Sequence, residues 1–430
     1  MFQNKNKGIN LIISKNLKHL SHLDIPGGGQ IVFQNNTCFV GHMKPPHGTS
    51  LIDVTDPKNP KIISEIKTDS PYSHTHKVRV SGNIMITNVE QNNRHFLRKS
   101  SKLSKFRNDF YKLNGSFPSS DVLEKEFHFN KKQISELDEF LKRGYDEGGF
   151  KIWDISDLTK PKLLSYQKTF GFGTHRFDMD DNYAYISTEM KGFLGNILVI
   201  YDIKNPDQPI EVSKWWLDGQ NIEGGEKPTW DGYGNRLHHA LRVGNELWAA
   251  VWHAGFRVID ITDIKKPKTI ASYNYHPWVV EPTHTILPVL KPLSGKRVAL
   301  AADEEHDHRL GQPHAGLWIF DISNISKIEP LATFHVSELD SPYSRDKGRF
   351  GMHQFQEHLE DGIIFCAWFG GGLRVVDVTK PSYPHEIGYF IPNPPKGEIS
   401  PQTNDVDVDE RGLIYLIDRN RGMDILEYKS

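Results

Sequence analysis

The sequence predicts an all-β fold, a seven-bladed β-propeller of four-stranded antiparallel blades. Three observations lead there: a motif repeated along the chain, a hairpin ahead of each copy, and a length of 430 residues that one repeat architecture can hold as a single domain, 1–430. The motif is an apolar run, an Asp, two or three spacer residues and usually a Pro. It reads SLIDVTDPKNPKIIS (50–64), KIWDISDLTKPKLLS (151–165), LVIYDIKNPDQPIEVS (198–213), RVIDITDIKKPKTIAS (257–272), WIFDISNISKIEPLAT (318–333) and RVVDVTKPSYPHEIG (374–388). A degenerate seventh copy, GMDILEY (422–428), ends the series. Each copy reads as a strand, a turn held by Asp and Pro, and an edge strand.

The hairpins supply the other two strands of each blade. HKVRVSGNIMITNVE (76–90), HRFDMDDNYAYISTE (175–189) and NDVDVDERGLIYLID (404–418) alternate apolar and polar residues around short turns. Hairpin plus repeat makes a four-stranded blade. The last blade runs out of chain after three strands. GINLIIS (8–14) has the apolar character to supply the fourth and remove the open edge.

Two insertions interrupt the pattern. Residues 94–147 fall between the second and third strands of the second blade, and 121–143 reads as a helix with Ser119 or Ser120 as N-cap. Residues 217–236 precede the fourth blade. Both connections emerge on one face of a propeller, which predicts a helical insertion over one mouth, as a lid or as a packing or oligomer element.

Composition narrows the function classes. With 52 basic and 54 acidic residues the formal charge is −2, which leaves no field directed at nucleic acid or an anionic membrane. No apolar run reaches the ~18 residues of a membrane span, and the N-terminus lacks the apolar region of a signal peptide. A cytoplasmic protein acting on a small molecule is the expectation. Cys38 and Cys366 sit in apolar strand-like runs and read as buried free thiols. No G-x-S-x-G elbow, P-loop or dinucleotide fingerprint is present. The triple glycines at 27–29 and 370–372 suit tight turns.

The first strands of the blades carry the chemical signal. Aligned on their inward apolar residues, they place His76, His175, His239, His284 and His353 at one position, with Asn404 and Gly29 in the remaining two blades. This position lies at one mouth, so the imidazoles are predicted to converge on the axis, with the apolar residues two and four positions on lining the channel below. Imidazoles suit Fe, Cu, Zn, Ni or Mn. A second column supports the reading. Glu90, Glu189 and His253 each follow their ring histidine by fourteen residues, and Glu304 takes the same place in the fifth blade. They are predicted to be direct cross-strand neighbours of the ring, accepting the far N–H of a ligating imidazole. Phe369 and Arg419 occupy the position in the last two blades. His74, His238, His306, His308 and His314 are read as neighbours of the mouth, with His238 and His74 as the alternatives should the register slip.

The (L/V)-(V/I)-x-D-(I/V) strands resemble those of LVIVD-repeat propeller proteins over nearly the whole chain. The ring also resembles two other propeller groups, the carotenoid-cleavage oxygenases and the selenium-binding proteins of the methanethiol-oxidase type. Likeness to the oxygenases implies His76, His175, His239 and His284 as Fe(II) ligands, with Glu90, Glu189 and Glu304 behind them. The sequence departs from that plan in His353 and His253.

The resulting expectation is a metal-dependent oxidase or oxygenase holding one transition-metal ion, Fe(II) first and then Cu, Zn or Mn, and acting on a small apolar or aromatic substrate. Trp252, Trp368, Phe369 and Arg419 would line the pocket, with Trp230 and Tyr233 nearby. A hydrolase or lyase using a metal-bound water, with Glu304 or Glu305 as general base, and a non-catalytic binding scaffold are the alternatives.

Overall fold

A computed structural model describes residues 12–306, 311–339, 341–346 and 348–429. It is an all-β propeller arrangement of four-stranded antiparallel blades. The repeated Asp does what the motif requires. The side chains of Asp53, Asp154, Asp202, Asp260, Asp321 and Asp377 each accept the backbone N–H two residues on, at 2.8–3.0 Å. These bonds turn the chain from the third strand of a blade into its outer edge strand.

Backbone pairing divides the strands into six sheets. One of them, nine-stranded, holds two four-stranded series that meet at the single pair Gly173–Glu90. The first strands of successive series touch in an unbroken circle. Gly28–Gln34 meets Val78–Ser81, then Phe170–Met179, His239–Val243, Thr283–Pro288, Met352–Phe355 and Thr403–Val408, which returns to Gly28–Gln34.

The circle closes through the N-terminal segment, but not through the residues expected. Leu17–Pro26 pairs antiparallel with Arg421–Tyr428, from Leu17 opposite Tyr428 to Pro26 opposite Arg421. Ile12–Ile13 pairs one sheet back, with Phe390 and Ile391. Of the predicted closing segment 8–14, residues 8–11 lie outside the described ones. The ten residues of Leu17–Pro26 cover the eight of Arg421–Tyr428, which the shorter segment could not do.

The core lies between the blades. Phe39 and Leu51 pack with Val78 and Met85, and Phe150 and Ile152 with Phe177 and Ile186. This corrects the channel register. Val78, Phe177 and Val406 are buried between sheets, and the axis instead holds charge. Arg176 reaches across it to Gln354 Oε1 at 3.4 Å and to Glu357, which also receives Arg79. Burial between sheets removes apolar area from water at about 25 cal/mol per Å², a gain that lining a polar axis would forgo. Cys38 and Cys366 are free and buried, as expected.

The insertion folds as four helices: α1 (Arg94–Leu97), α2 (Lys99–Asn114), α3 (Ser120–Phe127) and α4 (Lys131–Arg143). The single helix expected over 121–143 is split. His128 adopts φ 53° and ends α3, and Asn130 opens α4 with a reciprocal capping box to Gln133. Ser119 caps α3, accepting the Val122 N–H at 3.4 Å. Leu97, Leu103, Leu123, Ile134 and Leu137 form a small core of their own under the helices. Among the described residues no helix is long and apolar enough to cross a membrane.

Leu17 and Leu426 share one buried cluster across the closing seam. Leu426→Ala is expected to cost about 2–5 kcal/mol in urea unfolding. A loss under about 1 kcal/mol would show that the seam contributes little to stability.

Candidate metal centre

A single device positions the histidines. Each of several inner strands carries one extra residue at its mouth end, a β-bulge. Thr283 pairs with Asp303 and Thr285 with Ala302, which leaves His284 without an opposite residue. The same shift singles out His353 between Met352 and Gln354, Asn404 between Thr403 and Asp405, and Gly29 between Gly28 and Gln30. It recurs around His175, between the Thr174 and Phe177 pairs, and around His76, between the His74 and Val78 pairs. A bulge re-aims a side chain that regular alternation would send to the other face. The strand His239–Val243 has no such shift, and His239 pairs regularly with Ala250.

The result is an arc of imidazoles around a cavity of about 370 Å³. Ring centroids run His74 to His76 at 4.0 Å, His76 to His175 at 5.3 Å and His175 to His238 at 4.8 Å. They continue His238 to His284 at 4.1 Å and His284 to His353 at 4.3 Å. Four of the five expected ring residues, His76, His175, His284 and His353, line the cavity. The fifth is corrected. His238 takes the place of His239, whose Nε2 faces away, 3.6 Å from Glu357. Without a bulge, alternation turns His239 to the other side. His74 joins the arc as well.

The hydrogen bonds indicate tautomers. His74 Nδ1 lies 3.2 Å from the Met43 carbonyl and His238 Nδ1 2.8 Å from the His284 carbonyl, while His353 Nδ1 faces the Asn404 carbonyl. A carbonyl only accepts, so each Nδ1 carries the proton; His238 and His353 then present an Nε2 lone pair, whereas His74 Nε2 meets the Glu90 carboxylate. His175 Nδ1 donates to Glu90 Oε2 at 3.1 Å, and Arg94 donates to His175 Nε2 at 3.2 Å. The Nε2 atoms of His175 and His238 then face each other at 2.9 Å. Two nitrogens bound to one ion at about 2.1 Å and a right angle stand about 3 Å apart, so the spacing suits a metal that would displace Arg94 from His175 Nε2. Two groups bring their ligand atoms within 4.8 Å of one another: His74, His76 and Glu90; and His238, His284 and Glu304.

The carboxylate column is only partly as predicted. Glu90 stands opposite His74, not His76, and bonds His74 Nε2 at 3.0 Å. Glu304 lines the cavity, 3.0 Å from His306 and 3.8 Å from His353. Glu189 stands opposite Phe170, and its carboxylate binds Arg98 and the Phe172 N–H rather than His175. His253 lies past the strand end. A tight turn in which Trp252 takes φ 48° carries it to the rim, 3.0 Å from the Val280 carbonyl. The fourteen-residue spacing misleads because the inner strands are irregular at their mouth ends: one extra residue around His76, two register shifts in Phe170–Met179, and the turn at Trp252 before His253. Glu305 is turned away from the cavity, held by His314 at 2.6 Å and by the Phe350 N–H at 2.7 Å. His308 lies outside the described residues.

The residues lining the cavity are nearly all polar or charged by type, where aromatic side chains were expected. Of the four pocket residues predicted, Arg419 alone lines it. Trp368 packs in the core against Phe334. Trp252 sits behind the imidazoles, 5.0 Å from His306 and beneath Arg236 at 3.5 Å. Phe369 supports His353, Arg349 and Arg419 from below. The insertions do reach this mouth. α1 supplies Arg94 to Glu90, and Arg98 rests on Tyr233 of the second insertion at 4.5 Å. Arg94, Arg349 and Lys77 were not singled out in the sequence. The neighbourhood of Arg94 to Glu90, four residues on, was the one signal available.

The LVIVD repeat family matches residues 178–215 and 362–391. The chain carries LVIVD repeats. Both matched stretches run through the outer strands whose Asp turns are described above. Among solved structures, the chain is similar to the C-terminal WD40 domain of Sif2 (TM-score 0.54, 10% identity, 97% of this chain and 99% of that one). It is also similar to a chain of the mitotic checkpoint complex (TM-score 0.56, 8% identity, all of both chains). At such identity the likeness shows the fold alone. A comparison with curated proteins finds no match.

Burial holds His76, His175, His238, His239, His284 and His353 well below the ordinary imidazole value, so these six are neutral. Burial would push the Glu304 carboxyl up, yet His306, Arg349 and His353 hold it well below the usual range. Burial also lowers His42 and His276 to about 4. In the window from about 6.5 downward the unfolded chain binds more protons at these histidines, so stability is full above that window and falls with pH inside it. Glu281, Asp303 and Asp407, raised to about 7, act in the opposite sense but are fewer. The thermal midpoint is expected to be lower at pH 5 than at pH 7. A higher midpoint at pH 5 would mean that the buried acids dominate.

Proposed function

We propose that this chain is a metal-dependent oxidase or oxygenase, with its site at one mouth of a seven-bladed ring. The circle of inner strands supports counting the nine-stranded sheet as two blades. The observation that carries the metal reading is the set of lone pairs. His238 and His353 each commit Nδ1–H to a backbone carbonyl and turn Nε2 to one cavity. Carbonyl-anchored imidazoles with carboxylates beside them are how proteins orient metal ligands.

His238, His284 and Glu304 would hold the ion, with His175 and His353 alongside. A two-histidine, one-carboxylate set leaves coordination positions open for dioxygen and substrate and suits Fe(II), then Cu. The rest is done by the chain itself. Glu304 is kept ionised by Arg349 and the flanking histidines. Arg94, from α1, binds Glu90 and His175 and so ties the insertion to the site. Thr285 Oγ1, at 2.7 Å from Nδ1, fixes the ring of His284.

The second group, His74, His76 and Glu90, favours a hydrolytic reading, because two ions in one cavity are a common arrangement for activating water. Elemental analysis of protein purified without a chelating tag, beside a His238→Ala/His284→Ala variant, separates the readings. About one equivalent of Fe or Cu, lost in the variant together with any oxygen consumption, is the expected result. Zn or Mn held in the same way would favour the hydrolase. Protein that neither carries metal nor takes it up on reconstitution would overturn both and leave a binding scaffold.

A further inference from the structure

The charge around the cavity identifies what should enter it. Three guanidinium groups line it, those of Arg94, Arg349 and Arg419. Arginine stays charged in proteins. Two carboxylates face them. Glu90 pairs with Arg94, and Glu304 with Arg349 at 2.7 Å. Arg419 is the one left over. Among the described residues its guanidinium has no hydrogen-bond or ion-pair partner. The guanidinium lies 6.0 Å from the centre of the Phe369 ring. Arg349 lies over the same ring at 5.1 Å, so Phe369 holds the two guanidiniums at one wall of the cavity. Lys77 adds a further donor. It is buried, its Nζ bonds the Gly29 carbonyl at 3.0 Å, and the Asp405 and Glu304 carboxylates act on it from a distance.

Neutral imidazoles cannot balance this excess, and a bound divalent ion would enlarge it. A partly buried, unpaired cation is costly unless a counter-charge is supplied. Asp418 precedes Arg419 but spends its carboxylate on the N–H groups of Gln402, Asn420 and Arg421. Asp418 and Glu304 act on Arg419 from a distance, but among the described residues no acceptor hydrogen-bonds its guanidinium, so those donors are left to a ligand. Two forked donors on one wall match an oxyanion with several acceptor atoms. The volume of about 370 Å³ admits a small molecule, not a polymer.

We propose that the cavity takes a small oxyanion-bearing molecule, a carboxylate or a phosphate, whose anionic group is held by Arg419 and Arg349 beside the imidazole arc. This deepens the metal-site reading by naming its substrate class. It also replaces the apolar or aromatic substrate that the sequence suggested.

The test is calorimetric titration of inorganic phosphate and, separately, benzoate into the full chain, as purified and after metal removal, for wild type, Arg419→Gln and Arg419→Lys. Wild type should bind at least one of the two at millimolar concentration or below, and whichever binds identifies the oxyanion. Arg419→Gln should weaken that binding about tenfold or more, and Arg419→Lys should weaken it less. Should Arg419→Gln fail to fold, phenylglyoxal modification of wild type answers the same question, and the bound anion should protect Arg419. Binding of neither anion, unchanged affinity in Arg419→Gln, or equal modification with and without anion would each overturn the proposal. Metal content is measured on the same samples. Protein that carries no metal as purified, takes none up on reconstitution and still binds anion through Arg419 would overturn the metal reading alone, whereas metal-loaded protein indifferent to both anions would overturn this one alone.

Discussion

The extra residue at the mouth end of the inner strands is the constraint on which the rest depends. Regular alternation would send residues 76, 175, 284 and 353 toward the faces where Val78, Phe177 and Phe355 pack between blades. One bulge per strand takes the residue out of the ladder and lets it turn to the axis. Because the blades are arranged around a circle, repeating a local defect collects side chains far apart in sequence into one arc. Gly29 and Asn404 occupy the same position without an imidazole, which leaves the arc open on one side. Arg419 and Arg349 line the cavity with it.

Burial then determines what the arc can be. Imidazoles stacked at 4.0–5.3 Å could not all be protonated away from water, and burial keeps His76, His175, His238, His284 and His353 neutral. Neutral imidazole is the ligating form, so the desolvation that destabilises the charged state also prepares the site. Carboxylates enter the same space only where an arginine accompanies them. Glu90 comes with Arg94 and Glu304 with Arg349. The helical insertion is thus part of the site, since α1 provides one of those arginines.

Much of the fold was legible because its signals are local. The Asp of each repeat bonds an N–H two residues away, and the hairpin turns depend on adjacent residues, so one sequence sufficed to find them. Closure was less legible. Leu17–Pro26 and GINLIIS are both apolar enough, and only the length of the partner strand distinguishes them. The two-helix split of 121–143 hangs on His128 in a left-handed conformation, where helical periodicity continues through the break.

The sequence by itself determined the propeller arrangement, the Asp turns, the free thiols and the histidine position at the head of the inner strands, because each follows from periodicity or from neighbours along the chain. Only the tertiary structure decided which imidazole of the His238–His239 pair faces the cavity, that Glu189, His253 and Glu305 turn elsewhere, and that three arginines share the space. A bulge shifts register by one residue without leaving a mark in composition, and one residue is the whole difference between the two faces of a strand.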